Sequence, residues 1–192
     1  MKHFRTLPAL SVVIVSLWLF LGSGVASAQQ IAVKTNLLSW AAMTPDIGLE
    51  LVTGENTSVG FSVFGHKNPY GLKSKLVVVQ PEFRYWFNGR PLIREYIGIA
   101  AFAASYDMTI SSHVYSGNAI GLGFSGGYVF SLGPRLGLEL SAGTGIAVFR
   151  QKQYWVDDNY DAYFFGKTST VNSKGYKLFP VKAAVTLIYI IR

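Results

Sequence analysis

The chain has 192 residues, half of them hydrophobic and only 14% charged, with a formal net charge of +7 and no cysteine. This length allows one domain, and the composition is too apolar for an ordinary soluble one. Without cysteine there can be no disulfide, no thiolate metal site and no lipoprotein-type anchor.

Residues 1–28 read as a secretory signal peptide. Lys2, His3 and Arg5 form a basic start, an apolar run extends from Ala9 to Leu21, and a small, turn-prone stretch ends in Ala26-Ser27-Ala28. That ending is an A-x-A cleavage site. The apolar run is about 13 residues, short of the roughly 20 that a spanning helix needs, so cleavage before Gln29 is expected rather than an uncleaved anchor. Without Lys2 and Arg5, the 17 basic residues become 15 against 10 acidic ones, a net +5. These charges are scattered, with Lys67, Lys73 and Lys75 the nearest to a cluster. No stripe of Lys and Arg interleaved with stacking aromatics is present, so nucleic acid is not an expected partner. In an outer membrane such lysines would meet lipopolysaccharide phosphates or be solvated.

From Ile31 onward the period is two. Val33 to Ala41 is taken as a first strand although Lys34 to Leu38 does not alternate cleanly; one bent strand from Val33 to Val52 would lower the count from eight to seven. Ile47, Leu49 and Leu51 alternate with Gly48 and Glu50, and Val59, Phe61 and Val63 with Ser58, Gly60 and Ser62. Val77, Val79, Phe83, Tyr85 and Phe87 oppose Gln80, Glu82, Arg84 and Trp86; Ile120, Leu122, Phe124, Tyr128 and Phe130 oppose Gly121, Gly123, Ser125 and Gly127. Leu136 to Val148 repeats the division around Glu139, and Val181 to Ile191 repeats it around Lys182, Ala184 and Thr186. One face of each strand is apolar and the other is glycine-rich or charged. Nothing else in the sequence would cover the apolar faces, so they are expected to meet lipid.

Tight turns are expected at Gly54-Glu55-Asn56, Asn88 to Pro91 and Ser131 to Pro134, with a short turn at Met43 to Asp46. Longer polar segments fall near His66 to Lys75, Asp107 to Ser116 and Gln151 to Gly175. Short inner turns alternating with long outer loops is the habit of bacterial outer-membrane barrels. Girdle positions are expected for Tyr85, Trp86, Phe87, Tyr96, Tyr128, Phe130 and Tyr189 at one rim, and for Trp40, Phe64, Tyr106, Phe149 and Tyr176 at the other. The expected fold is therefore all-β: a signal peptide over 1–28, then an eight-stranded antiparallel up-and-down transmembrane β-barrel over 29–192.

Four segments carry a resemblance: Val33 to Leu38, Thr44 to Glu50, Gln80 to Phe87, and the closing strand from Phe179 to Ile191. Together they resemble a family of uncharacterised outer-membrane β-barrel proteins, carried under a domain-of-unknown-function label, of Gram-negative gut and oral anaerobes. The resemblance spans nearly all of residues 29–192. It implies an outer-membrane location and, through relatives encoded beside fimbria components, an envelope or adhesion setting. It brings no catalytic residues.

Eight strands leave an interior that side chains can fill. Glu50, Glu82, Arg84, Glu139 and Lys182 are expected to point into it and to pair, since a lone buried charge costs several kcal/mol, roughly. Gly121 to Gly126 matches G-x-G-x-x-G but lies inside a strand rather than between a strand and a helix, so the glycines are expected to make room for side chains opposite. Asp157 to Asp161 has oxygen ligands at alternate positions, yet Ala162 and Thr168 stand where an EF-hand loop wants glycine and glutamate, and no metal or other cofactor is expected. Tyr154, Trp155, Tyr160, Tyr163, Phe164 and Phe165 form an aromatic outer segment that either packs on itself or holds a protein or glycan partner. Asp107, Ser111, Ser112 and His113 supply the residue types of a hydrolytic triad, though neighbours on one loop rarely face one another.

Two functions remain open at this level: a non-enzymatic outer-membrane barrel that presents surface loops and supports an envelope or fimbria-type adhesion assembly, and a lipid A-modifying hydrolase or acyltransferase on a similar barrel. A soluble exported barrel with an apolar ligand inside is disfavoured by the inward glycines and charges.

Overall fold

The computed structural model describes residues 30–156 and 173–191. These form eight antiparallel strands joined in chain order: β1 (Ile31–Asn36), β2 (Asp46–Val52), β3 (Thr57–Lys67), β4 (Ser74–Trp86), β5 (Arg94–Ile110), β6 (His113–Ser131), β7 (Leu136–Trp155) and β8 (Ser173–Ile190). Each pairs with the next, and β1 pairs with β8, so one sheet closes into a ring with no free edge. No helix among the described residues is long and apolar enough to cross a membrane, which has no bearing on crossing by strands.

The eight-strand count agrees with expectation, but the first strand is shorter than the expected span of Val33 to Ala41. It stops at Asn36, and Leu37–Ala41 is a short helix, α1. Asn36 causes the switch: its side chain accepts a hydrogen bond from the Leu38 amide, an N-cap that satisfies a helical donor. Its own amide donates to Asp46 Oδ1 at 2.7 Å, which ties the start of β2 to the end of β1.

The turns at Gly54, Asn88 and Ser131 lie between strands as expected, while the opposite end departs from expectation. Asp107 to Ser116 is not a long loop: β5 and β6 stay paired up to Ile110 and His113, joined only by Ser111 and Ser112. Both serines have positive φ, 47° and 69°, the requirement of the tight hairpin turn whose twist matches its strands. Likewise β7 continues to Trp155 and β8 starts at Ser173, so the two ends of Gln151 to Gly175 are strand, while residues 157–172 lie outside the described residues. The ring is consequently uneven, with 17 to 20 residues in β5 to β8 and only 6 and 7 in β1 and β2.

The face assignment follows the alternation. Leu122 and Phe124 are 60% and 73% exposed, while their neighbours Gly123 and Ser125 are buried. The outward apolar surface ends at one level. Val79, Ala103, Ile120, Val148 and Tyr176 form a cross-strand row. Two residues further toward the uneven end, the next row on that face is Val77, Ser105, Asn118, Arg150 and Lys174, apolar only at Val77, and Lys75, Asp107, Ser116 and Lys152 form the one after.

Parity corrects part of the aromatic expectation. Tyr85, Phe87, Tyr128, Phe130 and Tyr189 do stand exposed near the turn end. Trp86 and Tyr96 are instead buried inside the ring, because on a two-residue period Trp86 cannot share a face with Tyr85. Phe64, Tyr106 and Phe149 also turn inward, leaving Trp40 and Tyr176 exposed at the other end. Val181, expected outward, is buried too: the β7–β8 register shifts between Gly143 and Gly145, a bulge at Pro180 and Val181 that reverses the face.

The strand glycines admit the rings opposite. A Cβ at Gly121 would sit 2.3 Å from Phe102 Cε1 and 2.8 Å from the Ile146 carbonyl oxygen. Gly121→Val is therefore expected to lower the free energy of unfolding by about 1–3 kcal/mol through overpacking, measured by urea titration. In a Phe102→Ala background the added cost should shrink, because the obstructing ring is gone. An unchanged stability in Gly121→Val would contradict this packing.

Candidate functional site

The interior is stacked in three layers. At the turn end, Ala32, Trp86, Leu92, Tyr96, Val129 and Ile188 pack into a closed apolar plug. Leu92 reaches it through a positive φ of 69° in the β4–β5 connection, which folds its side chain back under the ring. Toward the other end, Val78, Phe102, Ala147 and Val181 form a second apolar cluster, joined by Phe64, Leu76, Ala104 and Ala119.

Between them lies a charge layer, and all five residues expected to point inward meet in it. Arg84 is its centre. Its Nη1 donates to Glu50 Oε2 at 2.8 Å and to Glu139 Oε2 at 3.0 Å, and its Nη2 donates to Glu82 Oε2 at 2.6 Å. Lys182 pairs with Glu82 at 2.7 Å and with Glu139 at 3.3 Å. Hydroxyls complete the shell: Tyr96 donates to Glu139 at 2.6 Å, Ser125 to Glu82, and Ser58 to Glu50 while accepting from Trp86 Nε1 at 2.8 Å. The guanidinium also rests 4.4 Å from the centre of the Tyr96 ring. Of the charged groups' buried polar atoms, the Arg84 Nε is left without an acceptor among the described residues.

Sequence reasoning missed Lys34. It bridges Glu50 and Glu139, 2.7 Å from the latter, and is buried. The missing signal was arithmetic: three inward carboxylates against Arg84 and Lys182 leave one negative charge over. A buried layer should not carry that imbalance, and Lys34 alternates with Ile31 and Val33 on the first strand. With Lys34 the layer holds Glu50, Glu82 and Glu139 against Lys34, Arg84 and Lys182. The arrangement is mutually satisfied electrostatics, in which the Ser58, Tyr96 and Ser125 hydroxyls are spent on the carboxylates.

The other candidates are not assembled into a reactive site. His113 lies against Trp155, ring centres 3.6 Å apart, and its Nδ1 is buried without a hydrogen-bond partner among the described residues. Asp107 lies on the outward face and pairs across the strands with Lys75 and Ser116, while Ser111 and Ser112 are spent on the hairpin turn. Tyr154 and Trp155 close β7; Tyr160, Tyr163, Phe164, Phe165 and the Asp157 to Asp161 run lie outside the described residues. Among the described residues no group of three or more His, Asp or Glu is placed to hold a metal ion.

A family model described as "Protein of unknown function (DUF3575)" matches residues 13–191, and the chain belongs to that family. No curated protein matches the chain, and no solved structure does.

Arg84→Leu removes the hub and leaves three buried carboxylates facing two lysines. Breaking a buried pair typically costs about 3–5 kcal/mol, so a clear fall in unfolding temperature is expected, read by the loss of β-sheet circular dichroism on heating. An unchanged melting curve would remove the charge layer as a source of stability.

Proposed function

We propose that this member of a family of unknown function is a non-enzymatic outer-membrane protein, exported by residues 1–28, whose ring spans the bilayer and holds outer segments for an envelope or adhesion assembly. The observation that carries the reading is the outward face of the ring. Its apolar residues form a continuous band, from Leu136 to Val148 on β7 and from Ile120 to Phe130 on β6, whose outward positions are largely exposed and not covered by any other described part of the chain. A strand of about 9–11 residues, tilted, spans a bilayer, and an apolar band roughly 25 Å tall is usual for such rings. The run on β6 is 11 residues and that on β7 is 13, so both are long enough to span. A protein in water would expose this surface at great cost, whereas hydrocarbon takes it without cost.

The borders of the band support the same reading. At one end stand Tyr85, Phe87, Tyr128, Phe130 and Tyr189, with Tyr128 and Phe130 in contact at 4.7 Å between ring centres. Amphipathic rings favour the headgroup level. At the other end the outward rows turn polar, with Lys75, Arg150, Lys152 and Lys174 among them. Lipopolysaccharide phosphates are the counter-charges this border would meet. β1 and β2 are short for a span, and the apolar surface continues above them on α1 and its turn through Leu37, Leu38, Trp40 and Met43, each between 45% and 56% exposed. A helix satisfies its own backbone, so hydrocarbon tolerates it there. The plug and the charge layer fill the bore, so passive diffusion through the ring is not its role.

Two measurements test this. The absence of native cysteine allows single cysteines at Tyr70 and Leu132 to be labelled separately. With a membrane-impermeant maleimide on intact cells, Tyr70→Cys is expected to react and Leu132→Cys to react only after the envelope is opened; equal labelling of both would contradict the orientation. Leu122→Arg, at the middle of the band, is expected to cost about 2–4 kcal/mol in vesicles. At a water-facing position the same change would fall within about 0.5 kcal/mol of zero, which would contradict lipid contact.

A further inference from the structure

Above the charge layer the ring encloses a cavity of about 770 Å3, which the role proposed above does not use. Its walls include the apolar cluster of Phe64, Val78, Phe102 and Val181, and its lining continues to Met108, Ile110 and Tyr115 beside the β5–β6 hairpin. The cavity lies within the roughly 300–1,000 Å3 of small-ligand sites, and a ring of eight strands has room for one such ligand. The expectation that inward charges exclude an apolar occupant thus meets a divided interior: the ion-pair layer forms the floor, and above it the apolar cluster shares the wall with Ser62, Gln80, Gln151 and, near the top, Asp46 and Lys177.

The electrostatics select the ligand and its direction. At the floor Glu82, Arg84, Lys34 and Lys182 belong to a balanced set of three anions and three cations. A further carboxylate placed there would be a fourth buried anion with no cation of its own. Higher up, Lys177 also lines the cavity; its ammonium lies 5.7 Å from the centre of the Phe149 ring, it is exposed, and it makes no ion pair among the described residues. A molecule that suits both parts has a hydrocarbon chain to go down and one negative charge to stay up.

We infer that the cavity binds one long-chain fatty acid, with its chain packed among Phe64, Val78, Phe102 and Val181 and its carboxylate beside Lys177. Ala119 and Ala104 lie on the wall, where a larger side chain would occupy the space of the chain.

The processed chain, reconstituted in phosphatidylcholine nanodiscs, is titrated with radiolabelled hexadecanoate and, separately, hexadecanol, with empty nanodiscs as the blank. Saturable binding of one hexadecanoate per chain above the blank is expected. Ala119→Trp and Ala104→Phe, each checked for β-sheet by circular dichroism, should return both probes to the blank. Lys177→Glu, at an exposed rim position that the fold does not depend on, should weaken hexadecanoate about fivefold or more and leave hexadecanol unchanged. It keeps the test decisive if a wall variant fails to fold. No saturable binding above the blank, undiminished binding in folded wall variants, or equal weakening of both probes by Lys177→Glu would each overturn the inference. Should the chain prove soluble, the same titration in detergent-free buffer decides the matter, because the cavity belongs to the ring and not to its surroundings.

Discussion

Closure of the ring around a balanced charge layer is the constraint on which the other features rest. Every one of the eight strands delivers a side chain to that layer: Lys34, Glu50, Ser58, Glu82 with Arg84, Tyr96, Ser125, Glu139 and Lys182 in chain order. A one-residue slip of any strand would turn its member outward and bring an apolar neighbour in. The ion pairs of β1, β2, β4, β7 and β8, with the hydroxyl donors of β3, β5 and β6, therefore favour one register of the sheet, and a buried group left without its partner penalises a wrong pairing. Stability alone would be served as well by hydrocarbon in the same space. What ions add is a single permitted alignment.

Once the register is set, the outward face of the ring is set with it. Phe83 and Tyr85 must look out because Glu82, Arg84 and Trp86 look in, and the same holds for Leu122 and Phe124 against Gly123 and Ser125. The molecule is inverted relative to a soluble sandwich, with its charge enclosed and its grease displayed. Enclosure of the ion pairs at one height also leaves room above them for the second apolar cluster, so the cavity and the charge layer are two results of one stacking order. The bulge at Pro180 and Val181 contributes here, since it turns a valine inward where strict alternation would have turned it out.

Much of this was legible in the sequence because a two-residue period is a local signal. The strand count, the three tight turns and the inward direction of Glu50, Glu82, Arg84, Glu139 and Lys182 all follow from counting along one strand at a time. What was not legible depends on features that counting ignores. The end of β1 at Asn36 is decided by a side-chain cap and a contact with Asp46, and the inward turn of Val181 by a bulge that only pairing with β7 reveals. Trp86 and Tyr96 were read as girdle residues by their height, although parity already placed Trp86 inside. The polar run from Asp107 to Ser116 looked like a loop because polarity was taken for irregularity; its residues are polar because the strands rise beyond the apolar band there. Lys34 was readable from charge balance, which no single strand displays.

The most direct measurement is sedimentation of the chain from Gln29 onward after detergent removal, beside flotation of the same material with phospholipid vesicles. With hydrocarbon as the partner of the outward face, the protein should float with the vesicles and self-associate without them. A monodisperse monomer in detergent-free buffer that ignores the vesicles would contradict the proposed membrane embedding.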